Sequence, residues 1–234
     1  LQARAELLAE PSPAATPHPE GVVLWVREPA IRVRIFGEEV PVTFRSADAW
    51  SVVPGQIVRL LIEKRWTWNR HPYACGEIEE PRIDVPRLGL VPLPLKGGEP
   101  DDLRSGCEPF RRPDPYAPLW RRLTAKPRPS FEMDPIAWGA FPDADLDDCP
   151  TGDAAEWMER GELEVARTIL MQTLLRDLRC IDAHAHLGSI EFRRCVPRAL
   201  LHYEVAVGIG ELSLPADTTG VLPWGRIYNR PFLR

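Results

Sequence analysis

Paired cysteines are absent from this 234-residue sequence: Cys75, Cys107, Cys149, Cys180 and Cys195 are scattered, odd in number and never in a C-x-x-C pair. That pattern speaks against a disulfide framework and against a zinc ribbon, and the expected setting is a reducing, cytoplasmic one. Long apolar runs are absent too, since none approaches the roughly 20 residues of a membrane helix, so no membrane association is expected. The opening stretch "LQARAELLAEPSPAATPHPEG" is too polar for a signal-peptide core and has no initiator Met, which makes the chain an expected part of a longer product. Catalytic signatures are missing as well. There is no G-x-S-x-G elbow, no P-loop, no H-E-x-x-H and no G-x-G-x-x-G after a strand, and "GIGEL" at 208–212 has too few glycines for a nucleotide loop. A non-enzyme without a cofactor is the expectation.

A basic stripe is also lacking. Counted as Lys+Arg against Asp+Glu, residues 21–96 carry 11 against 9, residues 97–150 carry 7 against 11, and residues 151–234 carry 10 against 11. No segment has the charge that tracks phosphates, so nucleic acid is not expected as the main partner.

What is present divides the chain into four. Residues 1–20 read as a tether, because their proline- and alanine-rich end cannot extend a helix. From Val22 the pattern has period two: "VVLWV" is a candidate strand, "IRVRIF" alternates apolar residues with Arg32 and Arg34, and "GEE" turns the chain into "VPVTF", so residues 31–44 read as a hairpin. A Pro54-Gly55 turn then feeds a long strand, followed by "YACGEIEEPRIDV". Five or so short strands punctuated by Gly and Pro predict a small antiparallel β-barrel, OB- or SH3-like, over residues 21–96. Trp66, Trp68 and Tyr73, near Arg65, Arg70 and His71, form an aromatic and basic patch that a barrel could use for nucleic acid. The plainer reading is that aromatics in short strands are core.

Residues 97–150 hold ten of the 26 prolines and a surplus of acid, so they sustain neither a sheet nor a long helix. They also contain Phe110, Tyr116, Leu119, Trp120, Phe131, Met133, Trp138 and Phe141. The expectation is a proline-rich acidic strap, anchored by its aromatics over the regions on either side. Its cluster Asp143, Asp145, Asp147 and Asp148 fails as a calcium loop. Positions six and twelve, which need Gly and Glu, are Asp148 and Ala154.

The stretch "CIDAHAHLGSIEF" poses the main choice. As a strand, His184 and His186 would share a face and could grip a metal, as in the opening strand of metal-dependent amidohydrolases. That family uses a (β/α)8 barrel of about 250 residues, and only 48 residues follow His186. A metal-dependent hydrolase using His184 and His186 is therefore the alternative reading. As a helix, the two histidines lie about 200° apart. The flanks favour a helix, with apolar Leu163, Ala166, Ile169, Leu170, Leu174, Leu178 and Ile181 mostly three or four apart. Cys180 and His184 then form an i, i+4 pair that could be drawn as a thiolate–imidazole dyad, although a core cysteine beside a satisfied histidine is the commoner arrangement.

The helices carry landmarks of a tetratricopeptide repeat, which pairs two antiparallel helices in about 34 residues. Leu187-Gly188 resembles its L-G pair, while Gly161 and Ala166 fall at the turn and second-helix positions of the preceding unit. Ala199 stands at the next such position, one residue early, and "RRCVPR" replaces the turn glycine. Residues 151–234 are thus expected to form a TPR-like all-α region, giving an α+β protein overall. Its interaction surface would include Asp182, Ala185 and Ser189. After it, Pro223 can open a helix and Asn229 can cap another. That would leave Leu222, Trp224, Ile227, Tyr228, Phe232 and Leu233 on an apolar edge to be covered by more chain, by a partner or by a second copy. The phrases "DLRCIDAHAHLG", "HYEVAVGIGELSL" and "GVLPWGRIYNRPFLR" resemble a group of bacterial cytosolic proteins of uncharacterised activity that joins a β-rich region to TPR-like helices. The resemblance implies an architecture and no activity.

Overall fold

The computed structural model describes residues 18–101, 115–116, 118–119, 122, 128–133, 150–214 and 216–233. The tether up to residue 17, the aspartate cluster at 143–148 and the strap aromatics Phe110, Trp120, Trp138 and Phe141 lie outside them.

The protein is α+β, and its described elements are a five-stranded sheet followed by five helices. The strands are β1 (Glu20–Arg27), β2 (Ala30–Ile35), β3 (Val42–Arg45), β4 (Ile57–Trp68) and β5 (His71–Arg82). Alternation makes them. In β2 and β3, Ile31, Val33, Val42 and Phe44 are buried while Arg32, Arg34, Thr43 and Arg45 face outward. The pairing runs β1-β2-β3-β5-β4, with β3 and β5 parallel and the other neighbours antiparallel. Glu20–Val22 of β1 also pairs with Ile57–Arg59 of β4, so the order runs round in a ring. The β4–β5 hairpin is the longest element pair, and it turns at Asn69 and Arg70, both with positive φ.

A second, two-stranded sheet pairs β6 (Leu95–Asp101) with β7 (Arg128–Met133). This small sheet corrects the expectation that residues 97–150 sustain none, because β7 and most of β6 lie within that stretch. Met133 is buried and Phe131 half-buried, whereas Tyr116 and Leu119 are exposed.

The helices are α1 (Pro150–Glu159), α2 (Leu163–Arg176), α3 (Ile181–Phe192), α4 (Val196–Glu211) and α5 (Arg230–Leu233). Gly161 at φ 83° closes α1: its N–H donates to the Met158 carbonyl and that of Glu162 to the Trp157 carbonyl. This is the glycine-dependent stop that lets the next helix double back. Pro197 sits in the first turn of α4, where its missing N–H goes unused. Successive helices pack as neighbours, α1 on α2, α2 on α3 and α3 on α4, so α1–α2 and α3–α4 form two consecutive antiparallel hairpins. Where α4 meets the turn before β4, Gly55 has φ 92°, and a Cβ there would stand 2.6 Å from Val205 Cγ1. Sheet and helices share one contiguous apolar core, in which Val22, Phe44 and Leu60 belong with Leu170, Leu187 and Ile209.

The C-terminal segment departs from its expected capping pattern. Asn229 lies in a 3-10 turn ahead of α5, fully buried. Its Oδ1 accepts from the Met133 N–H at 2.9 Å, and its Nδ2 donates to the carbonyls of Phe131 (2.9 Å) and Pro223 (3.1 Å). With Phe131 N–H donating to Val221 O and Val221 N–H to Pro129 O, this stitches β7 to the C-terminal segment. No helix among the described residues is long and apolar enough to cross a membrane.

Candidate functional site

The stretch at 181–192 is helical, and its two histidines part company. His184 is fully buried. Its Nε2–H donates to the Leu178 carbonyl at 3.1 Å, which leaves Nδ1 as a lone pair without a hydrogen-bond partner. Burial pushes His184 down to about 4, against which the Leu178 bond works only in part. Beside it, with ring centroids 5.9 Å apart, lies His202 of α4, a residue the sequence reading did not single out. Neither ring nitrogen of His202 has a partner, and burial, then His184, Arg198 and Arg167, hold it well below its ordinary value. His186 instead turns toward Asp182, with Nε2 3.5 Å from Oδ1. Among the described residues no group of three His, Cys, Asp or Glu side chains is placed to hold a metal ion. Cys180 precedes α3, and because His184 Nδ1 is unpartnered and Nε2 is held by Leu178, no thiol–imidazole hydrogen bond forms between them.

Beside the histidine pair runs an ionic chain that is largely buried at Glu191, Arg198 and Arg167 and reaches solvent at the exposed Glu28. Arg198 lies 3.1 Å from Glu191 and 2.8 Å from Glu28, and also donates to the Trp50 carbonyl. Arg167 reaches Glu191 from α2 at 3.3 Å. The chain fastens α2, α3 and α4 to the loops of the sheet, and its charges are matched two to two.

The expected interaction residues of α3 divide. Asp182 is half-buried, Ala185 is buried, and Ser189 is exposed with Oγ donating to Ala185 O and 3.3 Å from Tyr203 OH. Tyr203 lies over Gly188, where a Cβ would come within 2.7 Å of the ring. A feature that the repeat landmarks did not reveal is the outer side of α4. There Val196, Leu200 and Val207 are each 42–50% exposed, next to half-buried Tyr203. At about 100° per residue these four fall within roughly 60° of one another. Phe192 is exposed just before the helix, and the exposed Glu204 and Glu211 both lie along one side of the stripe, beyond Leu200.

The C-terminal edge is half covered. Trp224, Ile227, Tyr228 and Leu233 are exposed, while Leu222 and Phe232 are half-buried, with Phe232 against Gly210. Arg230 lies over the Trp224 ring at 5.9 Å.

The candidate nucleic-acid residues gather at the tip of the β4–β5 hairpin. Register puts Trp66 opposite Tyr73 and Trp68 opposite His71 on one face. Trp66 and Tyr73 stack with centroids 5.7 Å apart and planes 13° from parallel, and Trp68 meets Tyr73 edge-on at 6.4 Å. Arg65 faces the other way, paired with Glu38, and Arg70 belongs to the turn.

No family model matches the chain, and no curated protein or solved structure matches it either.

Proposed function

We propose that this protein is a non-catalytic interaction module whose helical region docks a protein partner. The observation that carries the reading is the apolar stripe Val196, Leu200 and Val207 on the outer face of α4, with Glu204 and Glu211 along one side. Exposed apolar side chains scattered singly mean little, but aligned along one helix with acidic residues along one side they suit a protein interface. The partner that fits is an amphipathic helix with basic residues beside its apolar face. The helices are read as two TPR-like units. In support, α1 and α3 begin 31 residues apart and α2 and α4 begin 33 apart, near the repeat's period of about 34. Gly161 in a turn, buried Ala166 and Ala199, and Gly188 under Tyr203 are small residues where helices approach closely. The sheet is read as a small barrel, supported by the pairing of β1 with both β2 and β4. Parallel β3–β5 pairing favours an OB-like over an SH3-like member.

Affinity capture from native lysate tests the docking face. Tagged wild-type chain should retain a discrete partner that Leu200→Glu with Val207→Glu loses, while circular dichroism of the variant stays unchanged. An identical set of captured proteins for both would refute it.

A further inference from the structure

The outer face of the sheet carries a second arrangement, independent of the helical stripe. Register places Arg32 opposite Thr43, Thr43 beside Tyr73, and Tyr73 opposite Trp66. Residues partnered across a ladder share a face, and the alternate row Ile31, Phe44 and Ala74 fills the interior. With strands about 4.8 Å apart, the outer row runs about 14 Å across four strands. The next row in register is Arg45, Cys75 and Lys64, and Arg34 follows Arg32 on the same face. These positions spread four cations over one face, with Arg34 on the Trp68 side of the Arg32 row, Arg45 and Lys64 on its other side, and exposed Glu77 beyond Cys75 at the margin. Among the described residues none of the four has a carboxylate partner, and Arg32 Nε is shielded from solvent without any hydrogen-bond partner. Lys64 Nζ stands 6.0 Å from the Trp66 ring centroid, and Trp68 is 62% exposed.

Aromatic faces beside unpaired cations are what a single-stranded nucleic acid needs, since every base stacks and every phosphate is an anion. A peptide adding itself as a strand would use the part of β4 beyond its short pairing with β1 and would not need the outward row of cations and aromatics, so strand addition is a competing outcome of the test. The net charge of −5 opposes this only weakly, because charges farther than about 8 Å are screened at physiological salt. We propose that this face binds single-stranded DNA or RNA, with bases stacked on Trp68 and on the Tyr73–Trp66 pair and phosphates along Arg32, Arg34, Arg45 and Lys64.

The test is fluorescence anisotropy of the full chain with labelled single strands of about 15 nucleotides, DNA and RNA, and with the same DNA as duplex. Binding should favour the single strand, with log K falling against log salt at a slope of about −2 to −3. Trp68→Ala should weaken it about tenfold, as should Arg34→Glu with Arg45→Glu, both at exposed positions and with the fold checked by circular dichroism. Leu200→Glu with Val207→Glu should leave it unchanged, which separates this site from the helical docking face. No binding at low salt, equal affinity for duplex, wild-type affinity in the face variants, or capture of a proline-rich peptide with no oligonucleotide binding would each overturn the proposal.

Discussion

His184 and His202 meet inside the α3–α4 hairpin as neutral rings, and that burial has a consequence for acid stability. A group whose pKa is lowered on folding takes up its proton first in the unfolded chain, so stability falls as pH drops below the unfolded value near 6.5. For His184, lowered to about 4, the loss between those limits is about 3 kcal/mol, and His202 adds to it in the same direction. Denaturant unfolding between pH 7.5 and 5 should therefore show stability declining with acid, and His202→Leu should make that decline shallower. A wild-type stability that stays flat or rises over that range would contradict the burial of both rings. The helical placement of these histidines was legible in the sequence, because the apolar spacing on either side of Asp182 has a helical period. The partnership with His202 was not, since nothing in an i, i+4 pattern says which histidine of a neighbouring helix arrives at the same depth.

The hairpin of β2 and β3 and the long strands of β4 and β5 follow from alternation, turn glycines and prolines, and they lie where the pattern put them. The row Arg32, Thr43, Tyr73 and Trp66 escaped the same reading. It is assembled through a parallel pairing of β3 with β5, between segments about 30 residues apart, and a charge count along the chain averages the inward and outward faces together. Asn229 escaped for a similar reason: its residue type suggests a helix cap, yet its partners Met133 and Phe131 lie 96 and 98 residues away. This side chain fastens α5 and the preceding turn to β7. Asn229→Ala removes three hydrogen bonds and leaves the Met133 N–H without its acceptor, which costs about 2–4 kcal/mol. Hydrogen exchange in the variant should accelerate together in residues 128–133 and 221–233, with little change in β1–β5. Unaltered protection in both segments would show that the latch is not what holds them.

Sheet and helices are joined by a shared apolar core and by the Arg198 chain, and the proposed docking stripe on α4 lies on the side of the helix away from that core. Val205 and Ile209 face that core while Leu200 and Val207 of the same helix face out. For the proposed docking, a helix packed from behind in this way has little order left to lose when a partner arrives, which favours recognition by a preformed surface. The sequence announced helical hairpins through Gly161, Ala166 and Gly188, but it placed the interaction surface on α3, where Ala185 is buried; only the packing reveals which side of which helix is left open. The most direct measurement is site-specific photo-crosslinking in native lysate, with the photoreactive residue at position 200 or 207 and, as control, at exposed Arg160 of the first turn region. Discrete protein adducts from positions 200 and 207, absent from position 160, are the predicted result. No adduct from either position, or the same diffuse set from all three, would contradict the account.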